Sequence, residues 1–298
     1  MTQIDRKALE LLVSESLATL GEGGNGTAYL VKWHDELAVL KVSHFSEDER
    51  LMRESQYMVL LEGAGGVPML LAYSEEPPAI LMTYCGQYTL QDIIKGKGPD
   101  GYDLLQLGLM VGQRLLEMHR KGLIHNDLKA NNVVVSGDPQ SPRVNIIDLG
   151  LACFEDMTNE LESDPEDYPW MAPEVKRGQP STRKSDVFSY AVLLIRILQI
   201  VYKRRRLRVV STIREATRYD PEARPKLEVV LKHLQYAFER RRAAIMAREV
   251  RSQNVHRRIQ PLQVQQLPPT DTNTLVTDFI ATHPDITVRY VHRPLTQH

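Results

Sequence analysis

Between Leu17 and Val42, apolar and polar positions alternate around a glycine cluster in "LATLGEGGNGTAYLVKWHDELAVLKV". A period of two marks strands and clustered glycines mark a tight turn, so the stretch predicts strand, turn, strand, turn, strand in an antiparallel sheet. From Glu47 to Leu61 the residues Leu51, Met52, Met58, Val59 and Leu61 fall near helical spacing, and short strands follow around Pro68 to Ala72 and Ala79 to Tyr84. After Leu90 the pattern turns helical: "LLQLGLMVGQRLLEMHRKG" recurs at three and four residues and stops at Gly122, a helix C-terminus. The longest apolar run, "SYAVLLIRILQIVY", carries Arg196 and is too short to span a bilayer, so it reads as a buried helix. No repeat recurs at roughly 20 to 50 residues, which sets aside solenoids and propellers.

These elements predict an α+β chain of two lobes: an N-terminal segment 1–16, a small β-rich lobe 17–85 with one main helix, and a larger α-helical lobe 86–240. Residues 241–298 turn basic and then Gln/Pro/Thr-rich, a polar extension expected to start as a short helix and continue as a largely disordered tail. The 298 residues, 42% hydrophobic and 25% charged, leave room for a sizeable core. A net charge of −1 gives no long-range attraction for nucleic acid or a membrane, and neither is expected as a partner. Two cysteines, Cys85 and Cys153, are too few for a disulfide framework, and "MTQIDRKALELLVSES" lacks the apolar run of a signal peptide. The expected location is intracellular and cytoplasmic, with the nucleus left open. The basic clusters "YKRRRLR" and "ERRR" read as solvated helix faces, with no interleaved aromatics to stack on bases.

Chemistry enters with the glycines. Gly21, Gly23 and Gly26 keep a G-x-G-x-x-G spacing between two strands, whereas the dinucleotide fingerprint lies between a strand and a helix. A hairpin of this kind covers a triphosphate with backbone N–H groups. Lys41, in the next predicted strand, reaches phosphates beneath it, and a carboxylate on the following helix is needed to fix that lysine. Glu54 is the choice over Glu47 and Glu49, because apolar core positions flank it. Further on, "HNDLKANN" and "IIDLG" supply what phosphoryl transfer requires. Asp127 orients and accepts the proton of an attacking hydroxyl, Lys129 neutralises the transferring phosphoryl, and Asn132 and Asp148 offer oxygen ligands for Mg²⁺ on the phosphates of ATP.

With "YPWMAPEV", "SDVFSYAVLL" and "DPEARP" following in order, the sequence resembles the eukaryotic protein kinases from about Leu17 to Leu234. The resemblance implies a two-lobed fold and a serine/threonine kinase acting on a protein hydroxyl with Mg-ATP. It also implies that Val39, Met82, Thr83 and Cys85 line the adenine site, that Glu174 and Arg224 form a buried ion pair, and that His125 and Asp186 brace the catalytic loop. Three departures stand out. Asn126 replaces the arginine that receives an activation-loop phosphate, so loop phosphorylation at Thr158 or Ser163 is not expected to control activity. Leu149 replaces the phenylalanine of D-F-G, one apolar packing residue for another. Asp167 stands where a threonine commonly bonds the catalytic aspartate and lysine, and a carboxylate there would repel Asp127. The roughly 20 residues between Tyr202 and "DPEARP" look too few for the usual additional helix. A pseudokinase that binds nucleotide and serves as an interaction scaffold is the alternative, and a small-molecule phosphotransferase a third reading.

Overall fold

In the computed structural model, which describes residues 2–159, 161, 164–202 and 209–259, a β-rich lobe precedes a mainly helical one. The N-lobe contains β1 (Thr2–Gln3), α1 (Arg6–Ser14), β2 (Ala18–Glu22), β3 (Gly26–Trp33), β4 (Glu36–Ser43), α2 (Glu49–Leu61), β5 (Leu70–Glu75) and β6 (Pro78–Thr83). The sheet order is β1-β5-β6-β4-β3-β2. Pairing is antiparallel from β5 through β2, as the alternation predicts, but β1 adds a parallel strand beside β5. The segment 1–16 therefore joins this lobe. Asp5 caps α1 by accepting from the Ala8 N–H at 2.8 Å, and Ile4 and Leu9 are buried with Val31, Leu40 and Leu81.

The turn between β3 and β4 has positive φ at both His34 (48°) and Asp35 (66°), the backbone twist that suits a two-residue hairpin. Its register decides which way the functional strand faces. Ala38 and Leu40 go into the apolar cluster beneath α1, so Val39 and Lys41 emerge on the opposite face. In α2 the Asp48 carboxylate accepts from the Leu51 N–H at 2.9 Å, and Leu51, Glu54, Tyr57, Met58 and Leu61 form the buried side.

The C-lobe continues with β7 (Tyr88–Thr89), α3 (Leu90–Ile94), α4 (Leu104–Arg120), β8 (Leu123–Ile124), β9 (Val133–Asp138), β10 (Ser141–Ile146) and β11 (Cys153–Phe154). It ends with α5 (Pro173–Lys176), α6 (Arg183–Tyr202), α7 (Val209–Ala216) and α8 (Leu227–Ile259). The core forms where α6 crosses α4. A Cβ on Gly112 would lie 2.5 Å from the Tyr190 hydroxyl oxygen, so a glycine is required at the crossing, and Tyr190 donates to the Gly108 carbonyl at 2.8 Å. At 20 residues and mean hydropathy 1.5, α6 is long and apolar enough to cross a membrane by length and composition. Its burial against α4 and its wholly buried Asp186 mark it instead as a core helix.

One expectation is corrected. The stretch between Tyr202 and "DPEARP" does hold a helix, α7, whose Thr212, Ile213 and Ala216 are buried. Eight residues make just over two turns, enough to bury one amphipathic face against α6. Residues Met1–Ala243 form one compact unit, and beyond it α8 continues as helix to Ile259. The tail expected to be disordered lies, from residue 260, outside the described residues, as do Ser163 and the "KRRR" run.

The ion pair expected for Glu174 and Arg224 ties α5 to the loop before α8. Arg224 donates through both terminal nitrogens at 2.7 Å to the two carboxylate oxygens, and both residues are buried. Burial works against the Glu174 charge, but Arg224 and the Ser185 hydroxyl outweigh it and hold the carboxyl below its usual range. A carboxylate held low contributes stability above its ordinary pKa and loses it as pH falls through the depressed value. Glu174→Ala strands a buried guanidinium and is expected to cost about 3–5 kcal/mol in urea unfolding at neutral pH. The deficit relative to the parent protein should shrink as the pH falls below the usual glutamate range.

Candidate active site

The alternation of β4 and the helical period of α2 bring Lys41 and Glu54 together from either side of the loop 44–48. Lys41 Nζ lies 2.7 Å from Glu54 Oε2 and 3.2 Å from Asp148 Oδ1, so one ammonium joins the sheet, α2 and the segment after β10. Glu54 also accepts from the Leu149 N–H at 3.2 Å through its other oxygen. Leu149 is buried, the packing role expected of it. Burial disfavours the Lys41 charge, but Asp148 and Glu54 outweigh it and keep the lysine protonated. The same ammonium holds Asp148 down to about 2 against the effect of burial, so its carboxylate is ionised at neutral pH. Glu54, deeply buried, is pushed up by desolvation. Glu47 and Glu49, the other carboxylates weighed for this place, are exposed.

The catalytic-loop segment hangs from Asp186 in α6. Its carboxylate accepts from the backbone N–H of His125 at 2.8 Å and of Asn126 at 2.9 Å, and from His119 Nε2 at 2.8 Å. Burial opposes that charge, yet these donors hold Asp186 below the usual aspartate range. The two backbone bonds fix a turn in which Asn126 takes φ of 64°. His125 serves the same turn: its Nδ1 accepts from the Asp127 N–H at 3.2 Å. Beyond the turn, Asp127 Oδ2 receives Lys129 Nζ at 2.8 Å and Asn132 Nδ2 at 2.7 Å, and Asn132 Nδ2 also donates to the Asp127 carbonyl at 2.9 Å. With its nitrogen engaged, the amide oxygen of Asn132 is the atom left to face a cation.

The structure thus assembles Asp127, Lys129 and Asn132 in one cluster and Lys41, Glu54 and Asp148 in another. The remaining predicted residues lie on β2 to β4, on β6 and in the segment joining the lobes. Gly21, Gly23 and Gly24 have open space where a side chain would stand, whereas a Cβ on Gly26 would collide with the Val42 carbonyl oxygen. Gly26 is thus fixed by the β3–β4 approach, quite apart from any ligand. Val39 pairs with Met82 across β4 and β6. Thr83 accepts the Met69 N–H at its hydroxyl, 2.9 Å away, and the partly buried Cys85 thiol is pushed up to about 11 by desolvation. Val134 was missed by sequence reasoning: Gly86 passes so close to β9 that a Cβ there would meet Val134 Cγ1 at 3.3 Å.

Metal ligation fits these donors. Asp148 is an ionised carboxylate and Asn132 an amide, both hard oxygen ligands of the kind Mg²⁺ takes. The described residues contain no group of three or more His, Cys, Asp or Glu side chains able to hold a metal unaided, so water or ligand oxygens would complete the coordination.

Around Asp127 the structure departs from expectation. Asp167 is exposed, and the third donor on the catalytic-loop carboxylate is Trp170, whose indole Nε1 lies 2.7 Å from Asp127 Oδ1. Lys129 Nζ also sits 4.6 Å from the centre of that indole. Only the apolar, aromatic character of "YPWMAPEV" hinted at a role, and nothing local pointed at a partner 43 residues away. Asn126 Nδ2 donates to the Leu151 carbonyl at 3.1 Å and the Cys153 thiol at 3.2 Å. Asn159 Nδ2 donates to the same two atoms at 2.9 and 3.4 Å. Two uncharged amides therefore clamp the start of the acidic segment. Arg183 reaches Glu155 of that segment at 3.2 Å, while Arg177 turns to the Tyr219 ring.

The chain is 32% identical over 133 residues to the serine/threonine/tyrosine-protein kinase HT1 of Arabidopsis thaliana, covering 43% of the chain and 33% of the relative. It is 30% identical over 194 residues to mitogen-activated protein kinase kinase kinase 12 of Rattus norvegicus, covering 63% of the chain and 21% of that protein. It is 29% identical over 209 residues to the serine/threonine-protein kinase PknK of Mycobacterium bovis, covering 64% of the chain and 18% of that protein. The match thus spans no more than a third of these relatives' own length. The protein kinase domain matches residues 14–207 of the 298, and the chain belongs to the protein kinase family.

Proposed function

We propose that the protein is an ATP-dependent serine/threonine kinase that transfers the γ-phosphoryl group to a protein hydroxyl. The observation that carries this reading is the convergence of Lys129 and Asn132 on the Asp127 carboxylate, together with the ion-paired Lys41, Glu54 and Asp148. The scaffold alternative leaned on Asp167, on Asn126 and on the short stretch between Tyr202 and "DPEARP", which does hold a helix, α7. Asp167 is exposed, and the hydrogen bonds at the Asp127 carboxylate come from Lys129, Asn132 and Trp170.

In this reading Lys41 holds the nucleotide phosphates beneath the Gly21–Gly23 turn, and Glu54 keeps the lysine from swinging away. Val39, Met82, Val134 and the segment from Thr83 to Cys85 surround the adenine. Mg²⁺, held by Asp148 and Asn132, would offset phosphate charge. Asp127 takes the proton of the attacking hydroxyl as its oxygen bonds to the γ-phosphorus and the bond to the bridging oxygen breaks, releasing ADP. Lys129 balances charge on the phosphoryl group as it passes.

Three outcomes test the reading. At a ligand concentration about 100-fold above Kd, ATP with Mg²⁺ should stabilise the parent protein by about 2.7 kcal/mol, and Asp148→Ala should abolish the Mg²⁺-dependent part in thermal shift. An unchanged shift would remove the metal assignment. Lys41→Met should lower kcat/KM with a peptide library by about a hundred- to a thousandfold while the fold, followed by circular dichroism, persists. Finally, phosphatase-treated protein and the Thr158→Ala, Ser163→Ala double variant should match untreated protein within about twofold. Asn126 carries no charge to receive a phosphate, so at most a rim-type interaction of about 0.4 kcal/mol is at stake. A large loss restored by rephosphorylation would show that another cation has taken that role.

A further inference from the structure

The Asp127 carboxylate has about four acceptor positions on its two oxygens. Lys129 and Asn132 fill the two on Oδ2, and Trp170 fills one on Oδ1. At 2.7 Å the indole bond lies at the short end for N–H···O. One acceptor position, on Oδ1, remains. We propose that Trp170 is a positioning residue: its N–H fixes Asp127 so that the single open position on Oδ1 meets the substrate hydroxyl.

Two further features of the ring support this role. Trp170 packs with Tyr168 and Phe188 against buried Met171, Ala172 and Val175, and its ring meets Tyr168 edge-on at 6.0 Å, so the indole is held from behind. Its face also lies 4.6 Å from Lys129 Nζ, close enough for a cation–π contact. One side chain thereby orients both the carboxylate that takes the proton and the ammonium proposed to face the phosphoryl group. An indole N–H is a donor only. It cannot accept the proton meant for Asp127, which a hydroxyl or carboxylate in the same place could do. Exposed Asp167 is thereby tolerated, because the donor comes from three residues further along the chain.

This inference rests on the phosphoryl-transfer reading, and two measurements separate their fates. Trp33 and Trp170 are the two tryptophans of the chain, so a ¹⁵N-resolved proton spectrum shows two indole N–H signals, assigned with Trp33→Phe. The Trp170 signal should move upfield and exchange faster with solvent in Asp127→Ala, and an unmoved signal would overturn the proposal. In steady-state assays with ATP, Mg²⁺ and a serine/threonine peptide library, Trp170→Phe keeps the aromatic face for Lys129 but removes the N–H. Its kcat should fall about ten- to a hundredfold, with KM for ATP and melting temperature within error of the parent. An unchanged kcat would overturn the proposal, and so would a higher one, which would make the indole a plug over Asp127. A parent protein that transfers no phosphate while its indole signal still responds to Asp127→Ala would defeat the kinase reading and leave the contact standing.

Discussion

A single buried carboxylate carries the loop that holds Asp127. Asp186 has no exposure to solvent and is ringed by a histidine and two backbone amides. A charge buried so deeply persists only if donors replace the water it has lost. Those donors are groups that a turn with positive φ at Asn126 brings into line, so the demand of the charge and the strain of the turn satisfy each other. Because α6 is itself locked against α4 through Tyr190, the loop inherits the rigidity of the C-lobe core. The positions of Asp127, Lys129 and Asn132 follow from that inheritance.

The opposite wall of the cleft is set by a different device. Lys41 is wanted as a charge, and it is kept charged by two carboxylates from separate parts of the chain. Glu54 then reaches past the lysine to the Leu149 amide, so α2 and the Asp148 segment are coupled through one side chain. Breaking either link would free Asp148, whose own φ of 66° needs support from its surroundings.

What could be read from the sequence follows from distance along the chain. Lys41, Asp127, Asn132 and Asp148 sit on a strand or in short loops whose geometry local periodicity constrains, and Glu54 was separable from Glu47 and Glu49 because the apolar period of α2 gives it the inner face. Trp170 is not legible in the sequence because its meaning lies in a contact across 43 residues, whereas the threonine-like position falls on Asp167. The brevity of α7 hid it in a length argument, although "VVSTIREA" carries an amphipathic pattern of its own. Residues 1–16 look like a lead-in because a two-residue strand leaves almost no periodic trace. Their place is decided by Ile4 and Leu9 finding an apolar surface.

That small strand has an effect out of proportion to its length. A sheet edge with unpaired amides and carbonyls is a template on which a second chain can add a strand. Here β1 occupies the β5 edge, and at the far edge β2 is short, glycine-bearing and interrupted by an irregularity between Thr19 and Gly21. The N-lobe therefore offers no long, flat edge to a neighbour among its described strands. The glycines that leave open space at the β2–β3 turn also spoil the edge for intermolecular pairing, so an uncrowded turn and a poor template for a second chain come from the same few residues.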